Sequence, residues 1–306
     1  MKVLVTGGAG FIGSHVVDRL VAAGYRVFVL DNLSTGRLAN LNPKAEFFQI
    51  DLTDYAAVRE MLKAVQPDYV IHHAAQVDVT TSLSKPLHDA QVNILGSINL
   101  FQEAFRVGAR RIVYASSAAI YGNPVRLPLK EEDAIVPLAP YGISKYTPEH
   151  YLRILAREAG SGYTILRYAN VYGPRQSATG EGGVVAIFAH RLAAGEQPVI
   201  FGDGEQTRDF VYVEDVARAN LVALETGVDD TFNISTGSRI SVNELVRAFE
   251  KVIKRSITPR YEKPRPGEIL HSALDPSKAR EVLGWQAETD LLTGLKRTHA
   301  SLEPGL

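Results

Sequence analysis

KVLVTGGAGFIGSHVVDRLVAAGYRVFVLDN, residues 2–32, decides the fold. Lys2 to Thr6 reads as a short β-branched strand, Gly7, Gly10 and Gly13 space a G-x-x-G-x-x-G turn, and Phe11 to Ala23 reads as a helix. Within that helix Ile12, Val16, Leu20 and Ala23 share one face, and Gly24 stands just past the end as a C-terminal cap. Arg26 to Leu30 predicts a second strand, closed by Asp31. A strand, a Gly-rich turn and a helix in that order place backbone amides where a pyrophosphate can approach a helix N-terminus. Glycines at this spacing also serve merely to tighten a strand-to-helix turn. Asp31, 18 residues beyond Gly13, favours the ligand reading, because a carboxylate at the end of the second strand accepts the hydroxyls of an adenosine ribose and repels a 2′-phosphate. The stretch therefore points to NAD rather than NADP. Arg37 follows a turn at Ser34, Thr35 and Gly36 and reads as exposed.

Working outward, Glu46 to Asp51, Tyr69 to His73, Arg111 to Ala115 and Tyr163 to Arg167 read as strands. Ala56 to Val65, Val92 to Phe105 and Tyr141 to Glu158 read as helices between them. Alternation of this kind predicts an α/β fold, a Rossmann-type doubly wound parallel sheet. After Asn170 glycines and prolines break the rhythm, so a smaller C-terminal α/β domain is expected, with helices near Val242 to Ile253 and Ser277 to Leu283. The expected division assigns 1–168 to the dinucleotide domain, with 210–235 returning to it, and 169–209 with 236–306 to a substrate-binding domain.

The 306 residues are 45% hydrophobic and 22% charged, an average globular composition. Lysines and arginines number 33 against 34 carboxylates, a net charge of −1, which provides no field for nucleic acid or an anionic membrane. No apolar run approaches a bilayer span, and the N-terminus enters its first turn too soon for a signal peptide, so a soluble cytoplasmic protein is expected. Zero cysteines exclude disulfides, thiolate metal sites and a cysteine nucleophile, and no metal site is expected.

Tyr141 and Lys145 stand four residues apart at the start of a predicted helix, on one face and about 6 Å apart along the axis. There a lysine cation can stabilise a phenolate, making tyrosine a usable base near neutrality. Ser116 and Ser117 end a strand, and Pro140 directly precedes Tyr141. Ligands of open parallel sheets bind beyond the carboxyl ends of strands, so Ser117 and the Tyr141 helix can converge on the crevice of the Gly-rich loop. Serine, tyrosine and lysine beside a nicotinamide suggest oxidation of an alcohol. An N-cap serine and a half-buried tyrosine with an exposed lysine are the plainer reading of the same residues.

Taken together, these residues resemble the extended short-chain dehydrogenase/reductase family, most closely its UDP-glucose (UDP-galactose) 4-epimerases. The resemblance covers nearly the whole chain. It is carried in order by TGGAGFIGSH (6–15), DNLSTG (31–36), DL (51–52), HHAAQ (72–76), VN (92–93), SSAAIYG (116–122) and PYGISK (140–145). RYANVYGPRQ (167–176), GDGEQTRDFVYVEDV (202–216), RPGE (265–268) and DPSKAREVLGW (275–285) complete it. The resemblance implies tightly bound NAD that is not consumed, a UDP-sugar substrate, a role in galactose metabolism, and a homodimer formed through the helices near Val92 to Phe105 and Tyr141 to Glu158. It implies that Tyr141 takes the proton of the sugar 4-hydroxyl, Lys145 lowers the tyrosine pKa and holds the nicotinamide ribose, and Ser117 hydrogen-bonds the sugar oxygen. It further implies cofactor contacts from Gly7, Gly10, Phe11, Ile12, Gly13, Asp31, Asn32, Asp51, Leu52, Ala74, Ala75, Gln76, Asn93, Tyr141, Lys145 and Tyr168. Substrate contacts are implied for Ser117, Tyr141, Asn170, Val184, Val185, Arg208, Arg265 and Ser272, the two arginines clamping a diphosphate.

Two positions depart from or qualify the family pattern. Some epimerases carry a lysine where this chain reads Gln76, Val77, Asp78, so one cofactor contact is replaced. Ser272 aligns with a position that is a bulky tyrosine in enzymes restricted to UDP-hexoses, which implies tolerance of N-acetyl sugars. Alternatives within the fold are a UDP-uronate 4-epimerase or another NAD-dependent nucleotide-sugar dehydratase or decarboxylase. The elimination enzymes carry acidic residues where this chain has Ala118 and Ala119. A non-catalytic NAD sensor is a further alternative, although such proteins typically lack the tyrosine or lysine retained here.

Overall fold

The computed structural model describes residues 1–179, 182–264 and 269–302. The first half runs β1 (Lys2–Thr6), α1 (Phe11–Ala22), β2 (Arg26–Asp31), β3 (Glu46–Gln49), α2 (Tyr55–Val65), β4 (Tyr69–His72), α3 (Val79–Ser84), α4 (Pro86–Ala90), a π-helical turn (Gln91–Gly96), α5 (Ser97–Arg106), β5 (Arg111–Ser117), α6 (Pro140–Ala159) and β6 (Gly162–Tyr168). It continues with β7 (Asn170–Tyr172), α7 (Val184–Ala193), β8 (Val199–Phe201), β9 (Thr207–Arg208), β10 (Phe210–Tyr212), α8 (Val213–Thr226), β11 (Asp230–Ile234), β12 (Ile240–Ser241), α9 (Val242–Ile253), β13 (Arg260–Glu262), a second π-helical turn (Ala279–Leu283) and α10 (Leu291–Ala300).

Seven strands pair in parallel in the order β11-β6-β5-β4-β1-β2-β3. Alternate residues of β1 explain why helices cover both faces. Val3 and Val5 pack in one cluster with Val16, Val17 and Leu20 of α1 and Val216 and Ala219 of α8. Leu4 packs in the opposite cluster with Val58 and Leu62 of α2, Leu100 and Phe101 of α5, and Leu152 of α6. A strand buried on both sides needs the unbroken apolar run that residues 3–5 supply. The strand order turns back between β1 and β4, which opens a crevice at the carboxyl edge there. Late in the chain α8 returns to the sheet and β11 extends it, pairing Asp230 with Thr164 through Ile234 with Tyr168.

Three two-stranded ribbons, β7 with β10, β9 with β12 and β8 with β13, stand apart from this sheet. They share with α7, α9 and α10 a third cluster around Tyr172, Phe188, Phe249 and Leu295. Among the described residues no helix is long and apolar enough to cross a membrane.

Four elements differ from the sequence reading by more than one residue. β3 stops at Gln49 rather than Asp51, and β5 runs on to Ser117 because Ser116 and Ser117 still pair with Arg167 and Tyr168. The helix expected over Val92 to Phe105 begins with the π-helical turn. At its end Ser97 Oγ donates to the Asn93 carbonyl (2.6 Å) and the Ser97 N–H to the Ile94 carbonyl, closing the turn where α5 begins. The helix expected over Ser277 to Leu283 is likewise a π-helical turn, closed by Gly284 in the left-handed region.

Candidate active site

Parallel pairing brings the carboxyl ends of five strands to one edge: Thr6 beside Leu30 and His72, His72 beside Tyr114, and Ser117 beside Tyr168. Strands about 4.8 Å apart put Asp31 and Ser117, at the ends of β2 and β5, roughly 14 Å from each other along that edge.

At the β1 end the turn is shaped by what glycine lacks. Gly7 has φ +68°, and a Cβ there would stand 2.7 Å from the Ala74 N atom. Gly13 lies so close that a Cβ would overlap the Gly7 carbonyl. Gly10 donates its N–H to that same carbonyl (3.1 Å) and caps α1 without a side-chain acceptor. The first-turn amides, including those of Phe11 and Ile12, are thereby left to an anion.

Asp31, 7% exposed, is held in place by the turn it serves: Oδ2 accepts the Ala9 N–H (3.0 Å) and Oδ1 the Leu33 N–H (2.8 Å). Asn32 Nδ2 donates to Asp51 Oδ2 (2.7 Å), while Asp51 Oδ1 accepts the Thr53 N–H and hydroxyl. Burial pushes the Asp51 carboxyl up, and the hydrogen bonds from Thr53 and Asn32 outweigh it, holding the group below its ordinary range. Leu52 is buried beside Gly96, and the Arg37 side chain is exposed.

Beyond β4 the chain forms one wall of the crevice. The Ala74 N–H donates to Thr6 Oγ1 (3.2 Å), and Ala75 leads to Gln76. Gln76 and Asn93 bind each other through main chain and side chain, N–H to Oδ1 and Nδ2 to O, both 2.8 Å. Their amides also donate to buried Asp89, and Asn93 Nδ2 to Ser144 Oγ of α6 (3.0 Å). Gln76 is thus committed to bracing the wall.

The chemical end is made by β5 and α6. Pro140, preset for the first helical position, starts α6 and sets half-buried Tyr141 in its first turn. Lys145 follows one turn later, 4% exposed, with Nζ 4.7 Å from the centroid of the Tyr114 ring. Burial pulls the Lys145 ammonium down to about 8, against Glu149 and Asp89, which favour its charge. Ser117 is half-buried at the strand end, and its Oγ accepts the Ala119 N–H (3.2 Å). Behind Lys145, burial holds His72 well below its ordinary value and lowers His73 to about 4. Both rings are therefore neutral at pH 7. His73 stacks on Tyr168 at 5.9 Å, and the Tyr168 hydroxyl is engaged with Asn220, so Tyr168 forms part of the crevice floor. A phenol beside a buried ammonium can ionise, and the phenolate so formed, next to a dinucleotide cradle, can take the proton of an alcohol as hydride leaves its carbon.

On the substrate side the implied residues gather in two places. Asn170 is exposed at the start of β7 and its N–H donates to the Asp209 carbonyl (2.9 Å), next to Arg208. Arg208 Nη1 donates to the carbonyls of Thr207 (2.9 Å) and Leu270 (3.2 Å), and the Ser272 N–H to the Thr207 carbonyl (3.1 Å). Val184 and Val185 open α7 behind Gly183. Arg265 lies outside the described residues.

Sequence reasoning passed over Glu149, which is completely buried and pairs with Arg167 at 2.8 Å. Its signal was available, since 141, 145 and 149 continue a single i, i+4 stripe of α6.

The sequence profile of the NAD dependent epimerase/dehydratase family matches residues 3–235. The chain is 41% identical to a UDP-glucose 4-epimerase of Mycolicibacterium smegmatis over 305 residues, covering 97% of each chain. It superposes on a Thermotoga maritima UDP-glucose 4-epimerase solved with UDP-glucose, at TM-score 0.96, 47% identity and 98% coverage of both chains. A Thermus thermophilus UDP-glucose 4-epimerase solved with NAD matches at TM-score 0.93 and 38% identity, covering 100% of both.

Proposed function

The chain belongs to the NAD dependent epimerase/dehydratase family, and from that premise we propose that it interconverts UDP-galactose and UDP-glucose through a transient 4-keto sugar. The observation that carries this reading is the Tyr141–Lys145 pair on α6, set beside Ser117 at the end of β5 and on the same sheet edge as the Gly7 turn. The turn fits NAD: Gly7 and Gly13 leave a cradle that Cβ atoms would fill, and Asp31 accepts ribose hydroxyls where a 2′-phosphate would be repelled. When bound, NAD supplies the acceptor, and then the donor, of the C4 hydride.

This chain's own residues do the rest. The Lys145 ammonium stabilises the Tyr141 phenolate and holds the nicotinamide ribose, the phenolate takes the proton of the 4-hydroxyl and becomes a neutral phenol, and Ser117 hydrogen-bonds the sugar oxygen. Rotation of the keto sugar in its pocket exposes the opposite face, and return of the proton from Tyr141 completes the inversion. Asn170, Val184, Val185, Arg208 and Arg265 hold the nucleotide and diphosphate, and Ser272 leaves room for an N-acetyl group. Ala118 and Ala119 follow Ser117 where elimination would need an acid and a base, so dehydration is not supported.

The reading extends to assembly and setting. Exposed Leu87 and Leu95 on α4 and the π-helical turn, with Ile143, Tyr151 and Ile154 on neighbouring α6, suit a homodimer interface, and the protein works in the cytoplasm. Residues 1–168 with 210–235 serve the cofactor, and 169–209 with 236–306 serve the sugar nucleotide.

Incubating the purified protein with UDP-galactose, without added NAD, and following the anomeric protons by NMR tests the proposal. UDP-glucose as sole product is expected. A 4-keto-6-deoxy product, or no conversion even with NAD supplied, overturns it. Ser272→Tyr should abolish conversion of UDP-N-acetylglucosamine while sparing UDP-galactose.

A further inference from the structure

Glu149 lies one turn beyond Lys145 on α6 and exposes no surface. Its Oε1 accepts from Ser116 Oγ (2.6 Å) and Arg167 Nε (3.0 Å), and its Oε2 from Arg167 Nη2 (2.8 Å) and Arg153 Nη2 (3.2 Å). Ser116 precedes Ser117 in β5 and Arg167 precedes Tyr168 in β6, so one carboxylate is bonded to both strands that floor the chemical end. Arg167 also donates to the Tyr121 hydroxyl (2.8 Å) and the Glu131 carbonyl (2.9 Å), which completes its own shell.

A buried ion pair of this kind adds little net stability over well-packed apolar side chains. Its worth lies in the field it makes. The ionisable groups that face Lys145 are Tyr141 and Glu149 on α6, Asp89 on α4, Tyr114 on β5, His72 at the end of β4 and His73 just beyond it. Both histidines are neutral, and burial together with Glu149 keeps the Tyr114 phenol protonated. The negative charges are thus Glu149 and Asp89.

We propose that Glu149 is a positioning residue for the reaction: clamped by Arg167 and Ser116, its charge keeps the Lys145 ammonium protonated in a pocket closed to water, and through Lys145 it sets how readily Tyr141 ionises. The inference rests on the epimerase reading for the task of Tyr141. It also separates two roles that a buried pair usually merges. Glu149 acts on Lys145 by charge, whereas Arg167 acts on Glu149 by geometry.

The ionisation of Tyr141 is read directly in NAD-loaded protein from the ultraviolet difference absorbance of the phenolate against pH, with Tyr141→Phe as the blank. In Glu149→Gln the midpoint should rise by about one pH unit, because the ammonium that stabilises the phenolate has lost its counter-charge. The kcat for UDP-galactose at neutral pH should fall about tenfold with KM unchanged. Arg167→Gln should leave the midpoint in place or lower it, since Glu149 keeps its charge there. The double variant Glu149→Gln/Arg167→Gln removes both members of the buried pair, so it guards against misfolding of the single variants, and it should show the upward shift. A midpoint equal to wild type in Glu149→Gln or in the double variant overturns the proposal. So does an equal upward shift in Arg167→Gln, which is the mark of a purely structural brace. Wild-type protein that converts no UDP-sugar would refute the epimerase reading, and the phenolate titration would still decide this one.

Discussion

At the nucleotide end of the crevice, the groups offered to a ligand are main-chain amides and the Asp31 carboxylate, all within residues 7–31; at the chemical end they are side chains of β5 and α6, with their charges sunk in the core. The first end works by lacking atoms, since Cβ positions at Gly7 and Gly13 would be filled by neighbours. The second works by burying more charge than an interior ordinarily holds: Lys145, Glu149 and Arg167 are each under 5% exposed. Amide dipoles do not titrate, so the Gly7 turn is indifferent to pH and sensitive to volume. Buried charges behave in the opposite way.

The largest expected effect separates the two ends cleanly. Tyr141→Phe should cost about a thousandfold in kcat for UDP-galactose conversion, while NAD binding and the unfolding midpoint stay at wild-type values. Loss of NAD in this variant would show that the two ends are one unit. Next, Gly13→Ala should weaken NAD about a hundredfold, roughly 2.7 kcal/mol, by calorimetry on NAD-free protein, because the new methyl overlaps the Gly7 carbonyl. With saturating NAD its kcat should recover, which a distorted chemical end would not permit.

The smallest effect probes the boundary, where His73 stacks on Tyr168 and adjoins Gly7. Folding lowers His73 from 6.5 to about 4, so between those values the unfolded chain binds the extra proton. Stability is complete above pH 6.5 and is lost as pH falls toward 4. One such group accounts for about 2 kcal/mol between pH 7 and pH 5. His72, lowered in the same direction, adds to the loss. Urea denaturation at the two pH values should show the difference in wild type and a smaller one in His73→Asn; equal slopes would mean that His73 is not held neutral by burial.

The same contrast runs through what could be read in the chain. β1, the Gly turn, α1 and β2 are local objects, specified by contiguous residues, and their observed bounds lie within one residue of those read from periodicity. Tyr141 and Lys145 were legible because a single helix carries both. The short helices Val79–Ser84 and Pro86–Ala90 were not, since five or six residues hold too little of the 3.6 period to register. The π-helical turn at Gln91–Gly96 was equally hidden, because its six residues carry the same apolar spacing as the α-helix that follows. The hydrogen bonds of Asn93 to Gln76, Asp89 and Ser144 join residues up to 51 positions apart.

By itself the sequence determined the parallel α/β architecture, the NAD cofactor, and the tyrosine and lysine brought onto one face of α6. Each follows from steric and dipolar rules that act over a few bonds or one helical turn. The tertiary structure alone decided that β11 closes the sheet beside β6, that Gln76 is spent on Asp89, and that Glu149 meets Ser116 and Arg167 beneath Lys145. Those outcomes depend on which charges leave water together, and that is settled only when strands and helices distant in the chain have packed.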